Sequence, residues 1–156
     1  MKRLSCILIA LLSWLPLSAL LANTVDAVLR AERPAGVVFE IIGSSKAMLE
    51  QRLPQLHRDI QRLRETFPGL PVAVVSHGRE QFALTRSNRA RFSRTHGLVQ
   101  QLVDRQQVEF HVCGTHASWY NIAPEDFPDY VDVSPAGPTQ IDDYEELGYT
   151  LIVIDE

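Results

Sequence analysis

The densest group of chemistry-bearing residues is His111-Val-Cys113-Gly-Thr-His116. In a strand, residues two apart share a face, so His111 and Cys113 point the same way. His116 follows three residues later, where one helical turn brings it back towards Cys113. A thiol at a strand end, just before a helix, sits near unpaired backbone N–H groups, a setting that favours thiolate. Thiolate is the form that attacks disulfides, polysulfides and persulfides. Other readings of the same residues stand beside this one. Cys113 can be a small buried hydrophobe, and each histidine can be a hydrogen-bonded core or surface residue. His111, Cys113 and His116 could also supply three ligands to copper or zinc, although the spacing matches no strong metal motif. His77, in Ser76-His77-Gly78, is distant in sequence but can reach the same region.

Cys113 is expected to be the one thiol left after export. Lys2 and Arg3 precede an apolar run from Leu4 to Leu21, and no acidic residue occurs before Asp26. A basic head, an apolar stretch and small residues near its end form a secretory signal, residues 1–22, with Ala22 before the cut. The alternative is an uncleaved anchor on the periplasmic side, since about 18 apolar residues suffice to cross a bilayer. Removal of the signal takes Cys6 with it and leaves residues 23–156 as one domain of ordinary size. A lone thiol in an oxidising compartment cannot form a disulfide within its chain. It points to intermolecular pairing or to reactivity.

Charge narrows the partners. The chain carries 15 basic and 19 acidic residues, a net charge of −4, and loss of Lys2 and Arg3 makes it more negative. Arg79, Arg86, Arg89, Arg91, Arg94 and Arg105 cluster, whereas no Lys or Arg follows Arg105. A basic stretch can bind nucleic acid, but an exported, net-negative protein argues against that partner. The stretch fits a solvated helix face, or a basic face packed on the acidic face of another subunit.

Apolar runs and turn residues set the frame for these side chains. Residues 37–42 read as a strand rich in β-branched residues, ending at Gly43-Ser44-Ser45. Met48, Leu49, Leu53, Leu56, Ile60 and Leu63 repeat at helical spacing, with Pro54 expected to kink or split the helix. Residues 71–76 form the second strand, and 81–85 a short extended piece. A helix capped near Ser87 or Asn88 carries Phe92, Val99 and Leu102. Residues 108–112 are the third strand, 115–121 a short helix and 130–133 the fourth strand. A helix capped by Thr139 ends at Gly148, before a last strand over residues 149–154. This alternation predicts an α/β fold, a parallel sheet with helices on both faces. Ligands bind such sheets at strand C-termini, where Gly43-Ser44, Ser76-His77-Gly78 and Cys113-Gly114 all fall. No nucleophile elbow, Walker loop or dinucleotide fingerprint occurs.

The order VVFEIIG, VAVVSHG, VEFHVCGTHAS and GPTQIDDYEELGYTLIVID, with a lone cysteine after the third strand, resembles the DsrE/DsrF-like family of sulfur-relay proteins, which includes the TusD subunit. The resemblance covers most of the chain after the signal. It implies a three-layer Rossmann-like fold with a five-stranded, mainly parallel sheet, and assembly into trimers or hexamers. It also implies that Cys113 carries sulfane sulfur as a persulfide; His111 and His116 take no role from the family pattern. The expectation is a periplasmic sulfur-transfer protein that needs no cofactor. Its partners would be sulfur donor and acceptor proteins or small sulfane-sulfur compounds, with His116 and His111 assisting the thiol. The alternatives are a non-catalytic binding or assembly module, or a copper- or zinc-binding protein. Export would separate the chain from the family's cytoplasmic partners.

Overall fold

The computed structural model describes residues 24–155. The expected signal, residues 1–22, and Cys6 lie outside the described residues. The elements run α1 (Val25–Arg30), β1 (Gly36–Ile41), α2 (Lys46–Thr66), β2 (Val72–Ser76), α3 (Ser93–Gln106), β3 (Glu109–Cys113), α4 (Gly114–Ser118), β4 (Asp132–Ser134), α5 (Gly137–Glu146) and β5 (Tyr149–Ile154). Two 3-10 turns, Arg79–Leu84 and Arg86–Asn88, link β2 to α3. No helix among the described residues is long and apolar enough to cross a membrane.

All five strands are parallel, in the order β4-β3-β2-β1-β5. Parallel crossovers are right-handed, so the direction of advance across the sheet fixes the face each helix covers. The chain moves from β1 to β4 in one direction, with α2 and α3 on one face. The return from β4 to β5 reverses direction and lays α5 on the other. Alternating strand side chains sort to match. Val37, Phe39, Ile41, Val74, Phe110 and Val112 join the apolar stripes of α2 and α3 in the larger core. Val38, Ala73 and Val75 meet Ile141 and Tyr144 of α5 in a smaller one. The result is the three-layer, Rossmann-like α/β fold, with a sheet that is wholly parallel.

Several local expectations shift. Pro54 does not split its helix, and α2 runs through it for 21 residues. An interior proline costs about 3 kcal/mol. Leu49, Leu53, Leu56, Ile60 and Leu63 are all fully buried on the same helix, and each such side chain contributes about 1.5–3 kcal/mol. The buried stripe therefore outweighs the local penalty. Asn88 caps a turn instead of α3, giving its side-chain N–H groups to Phe82 O and Thr85 Oγ1. The fourth strand starts at Asp132 because Val131 N–H closes a turn onto Pro128 O. The six clustered arginines are exposed, and Arg86 pairs with Asp129 of the acidic C-terminal half.

Residues 81–85 are not extended, and the cause is Glu80. Its fully buried carboxylate accepts from Gly43 N–H at 2.6 Å, from Gly78 N–H at 3.0 Å and from Ser76 Oγ at 2.7 Å. Arg79 N–H adds a bond to Gly43 O, and His77 N–H one to Ile41 O. The chain leaving β2 is thus tied back onto the end of β1 within four residues, which favours tight turns over an extended run. Gly78 permits the approach, since a β carbon there would lie 2.6 Å from backbone atoms of Gly43.

On the opposite face, α5 is tied to the sheet through a polar chain. Tyr144 donates its hydroxyl to Glu109 Oε2 at 2.6 Å, so His111 Nε2–H donates to the tyrosine oxygen at 2.8 Å. Burial holds the His111 imidazole below the usual histidine range, against the opposing pull of Asp132 and Glu109. Burial, then the bond to Glu109, raises the Tyr144 hydroxyl far above its ordinary value.

Two expectations follow for stability. Glu80→Ala leaves three buried donors without their acceptor, at about 1–3 kcal/mol each when wholly unsatisfied. Urea unfolding should show a loss of about 3 kcal/mol or more, and an unchanged midpoint would contradict the clamp. His111 binds its proton less readily folded than unfolded, so folding is favoured above about pH 6.5 and loses support below it. The urea midpoint should fall between pH 7.5 and 5.5, and less steeply in His111→Gln.

Candidate functional site

The register of β2 and β3 places the chemistry. Val75 lies beside His111 and Ser76 beside Val112, so the next pair at the C-terminal edge is His77 and Cys113. Alternation turns Glu40, Val75, His77, His111 and Cys113 towards the α5 face. On the opposite face, Phe110 and Val112 stay in the larger core.

Cys113 ends β3 and starts α4. Its Sγ accepts from His116 N–H at 3.4 Å, as the N-cap of that short helix. Its own N–H donates to Oε1 of the fully buried Gln81 at 2.8 Å. The clamp that holds Glu80 against β1 and β2 therefore also delivers the next residue to the end of β3. Gly137, at the start of α5, lies directly over the strand ends: a β carbon there would fall 2.6 Å from His77 Cβ and 3.4 Å from Cys113 Cβ. Any larger residue would push α5 off this pair.

A pocket of about 390 Å³ opens over these residues. Cys113, His77 and His116 line it together with Gly78, Thr115, Ile42, Trp119, Ala136 and Pro138. Cys113 is 4% exposed, so a reagent must enter the pocket to reach it, while Trp119, 72% exposed, forms the rim. No Lys, Arg, Asp or Glu side chain lines the cavity.

Two of the three expected site residues meet here. The His116 ring lies among Phe82, Trp119 and Tyr120, with centroids 5.3–5.4 Å away. Its Nδ1 is 2.7 Å from His77 O and 3.1 Å from Gln81 Nε2. A carbonyl can only accept, and Gln81 Oε1 is held by Cys113 N–H, so the Nδ1 hydrogen goes to the shorter carbonyl contact. His116 thus meets the sulfur through its backbone N–H, with its ring as a wall of the pocket. His111 shares the face of Cys113 but stands lower on the strand, bonded to Tyr144, and does not line the pocket. The three residues therefore do not assemble as metal ligands. Among the described residues no group of three or more His, Cys, Asp or Glu side chains does so.

The motif reading passed over Glu40 and Gln81. Glu40 Oε1 lies 2.7 Å from His77 Nε2. One signal was available for it, a lone acidic residue inside the otherwise apolar VVFEII. Gln81 carried none, because its role depends on a turn that Glu80 creates.

No family model matches the chain, and no curated protein matches it. Solved structures do share its fold. MTH1491, a protein of unknown function from Methanobacterium thermoautotrophicum, superposes with a TM-score of 0.61 at 23% identity, covering 76% of this chain and 97% of that one. The ychN protein from E. coli gives 0.54 at 13% identity, over 76% of this chain and 99% of that one. Nearly all of each neighbour is matched, so the likeness is one of a whole domain, and its architecture is the one that the DsrE/DsrF-like resemblance implies.

Proposed function

We propose that this protein is an exported sulfur carrier that holds sulfane sulfur as a persulfide on Cys113. The observation that supports this most is the position of the thiol. It sits at the floor of a pocket, at the C-terminal edge of a parallel sheet, with Sγ accepting a backbone N–H. The DsrE/DsrF-like order of motifs supplies the cargo. In the loading step the Cys113 sulfur attacks the outer sulfur of a donor R–S–S–H. A new S–S bond forms, the donor's S–S bond breaks, and its electron pair leaves on R–S⁻, which takes up the proton lost by Cys113. The products are Cys113–S–S–H and R–S–H. Sulfur moves without net oxidation, so no redox cofactor is consumed. Delivery to an acceptor thiol is the same exchange in reverse.

The lining favours particular donors. An uncharged, largely apolar cavity does not compensate the desolvation of a doubly charged thiosulfate, whereas an alkyl persulfide matches it. Mass spectrometry of the purified protein after exposure to an alkyl persulfide should show one added sulfur at Cys113. The addition should be lost on reduction, absent in Cys113→Ser, and slower with thiosulfate. A thiol that stays unmodified under all donors would leave a non-catalytic binding or assembly module as the better reading.

Export rests on Lys2, Arg3 and the apolar run that follows. Periplasmic fractions of expressing cells should contain a product whose intact mass lacks residues 1–22. Full-length protein in the membrane fraction would support the anchored alternative.

A further inference from the structure

The pocket holds two histidines, and the carrier chemistry needs one place to park a proton. We propose that His77, oriented by Glu40, is the residue that takes the proton from Cys113 and returns it to the leaving thiolate. The inference rests on the sulfur-carrier reading for its substrate, but not for its geometry.

Four observations carry it. First, the pairing of Ser76 with Val112 makes His77 and Cys113 the next residues along neighbouring parallel chains, and such chains stand about 4.7–4.9 Å apart. Second, both β carbons lie within 3.4 Å of the point that a Gly137 β carbon would occupy, and both residues line one pocket. Third, Glu40 Oε1 lies 2.7 Å from His77 Nε2. A carboxylate accepts, so Nε2 carries the hydrogen of this bond, and in the neutral ring Nδ1 then presents the lone pair. A carboxylate that fixes the tautomer and steadies the imidazolium is how histidine is prepared as a general base. Fourth, no such partner is described for the other pocket histidine. His116 gives its Nδ1 hydrogen to a carbonyl and packs among aromatic rings.

The groups facing His77 are few. Glu40 comes from β1, and Cys113 and His116 come from β3 and α4. The first turn of α5 brings no acidic side chain, and its opening residues, Gly137 and Pro138, carry no charge. Glu80 stands behind the loop, saturated by its three donors. The His77–Glu40 pair is therefore the acid–base element that borders the thiol. In the loading step the Cys113 proton passes to His77 Nδ1, the sulfur attacks, and R–S⁻ recovers the proton from His77. The imidazole ends as it began, and no other reactant is needed.

The test compares two rates at Cys113 between pH 6 and 8, alkylation by iodoacetamide and sulfur loading from an alkyl persulfide. Alkylation reads the proton transfer without any sulfur chemistry. His77→Gln should slow both reactions about a hundredfold at pH 7, the lower end of the span of general-base effects. Its pH profile should also differ from that of the wild type. Glu40→Gln should slow both by a smaller factor, and His111→Gln should keep the wild-type rates at pH 7. Added imidazole should restore part of the rate to His77→Ala, which a merely structural role would not allow. Wild-type rates and profile in folded His77→Gln, or the loss appearing in His116→Gln instead, would overturn the assignment. If His77→Gln does not fold, Glu40→Gln decides, and its wild-type behaviour is the overturning result. Normal alkylation effects with no sulfur loading in any protein would refute the carrier reading and leave the His77 assignment standing.

Discussion

Two consecutive buried side chains, Glu80 and Gln81, hold together the ends of three strands. Glu80 collects donors from Gly43 after β1 and from Ser76 and Gly78 at the end of β2. Gln81 reaches across to the N–H of Cys113 at the end of β3. A buried carboxylate without partners is strongly disfavoured, so the geometry that satisfies Glu80 is enforced wherever the chain folds. Once it is satisfied, the turn after β2 must double back, His77 is held beside Cys113, and Gly78 joins the pocket wall. The site therefore depends on a carboxylate that never reaches it.

The two faces of the sheet divide the labour. One is covered by α2 and α3 over a broad core of fully buried aliphatic side chains. Among the described residues the other has a single helix, α5, and a core that runs out before the strand ends do. Polar residues occupy the remainder in two layers. The lower layer, His111, Tyr144 and Glu109, satisfies itself and anchors α5. The upper layer, Glu40, His77 and Cys113, opens onto the pocket. Position along the strand separates the two histidines of this face. His111 is deep enough to be structural, and His77 is at the rim.

The proposed sulfur transfer would make modest demands on the protein, and this arrangement offers a counterpart to each of them. Thiol–disulfide exchange needs an accessible sulfur, a means of moving one proton and exclusion of competing nucleophiles. Access is through a mouth bordered by Trp119 and Ile42, both exposed apolar side chains. Shielding comes from the depth of Cys113 beneath it. Gly137 matters here in a way that few residues of α5 do. Its missing side chain lets the helix start lie against both His77 and Cys113, so the pocket is roofed without being filled.

Much of this was legible in the order of residues. The alternation of apolar runs determined a parallel α/β sheet, because strand and helix periods are local and each run must bury one face. The position of Cys113 at a strand end, ahead of a short helix, followed from the same pattern. So did the shared face of His111 and Cys113, which is a matter of counting by two. What counting could not supply was depth and neighbours. His116 stands near the thiol in sequence, yet it meets the sulfur through its backbone. His77 is remote in sequence and is brought alongside by strand register. Glu40, Gln81 and Gly137 come from three further segments, and each acquires its place through a contact with another element. Those contacts were decided by the tertiary structure, because hydrogen-bond satisfaction of buried polar groups and the close approach of α5 to the sheet are properties of packed segments and have no local code.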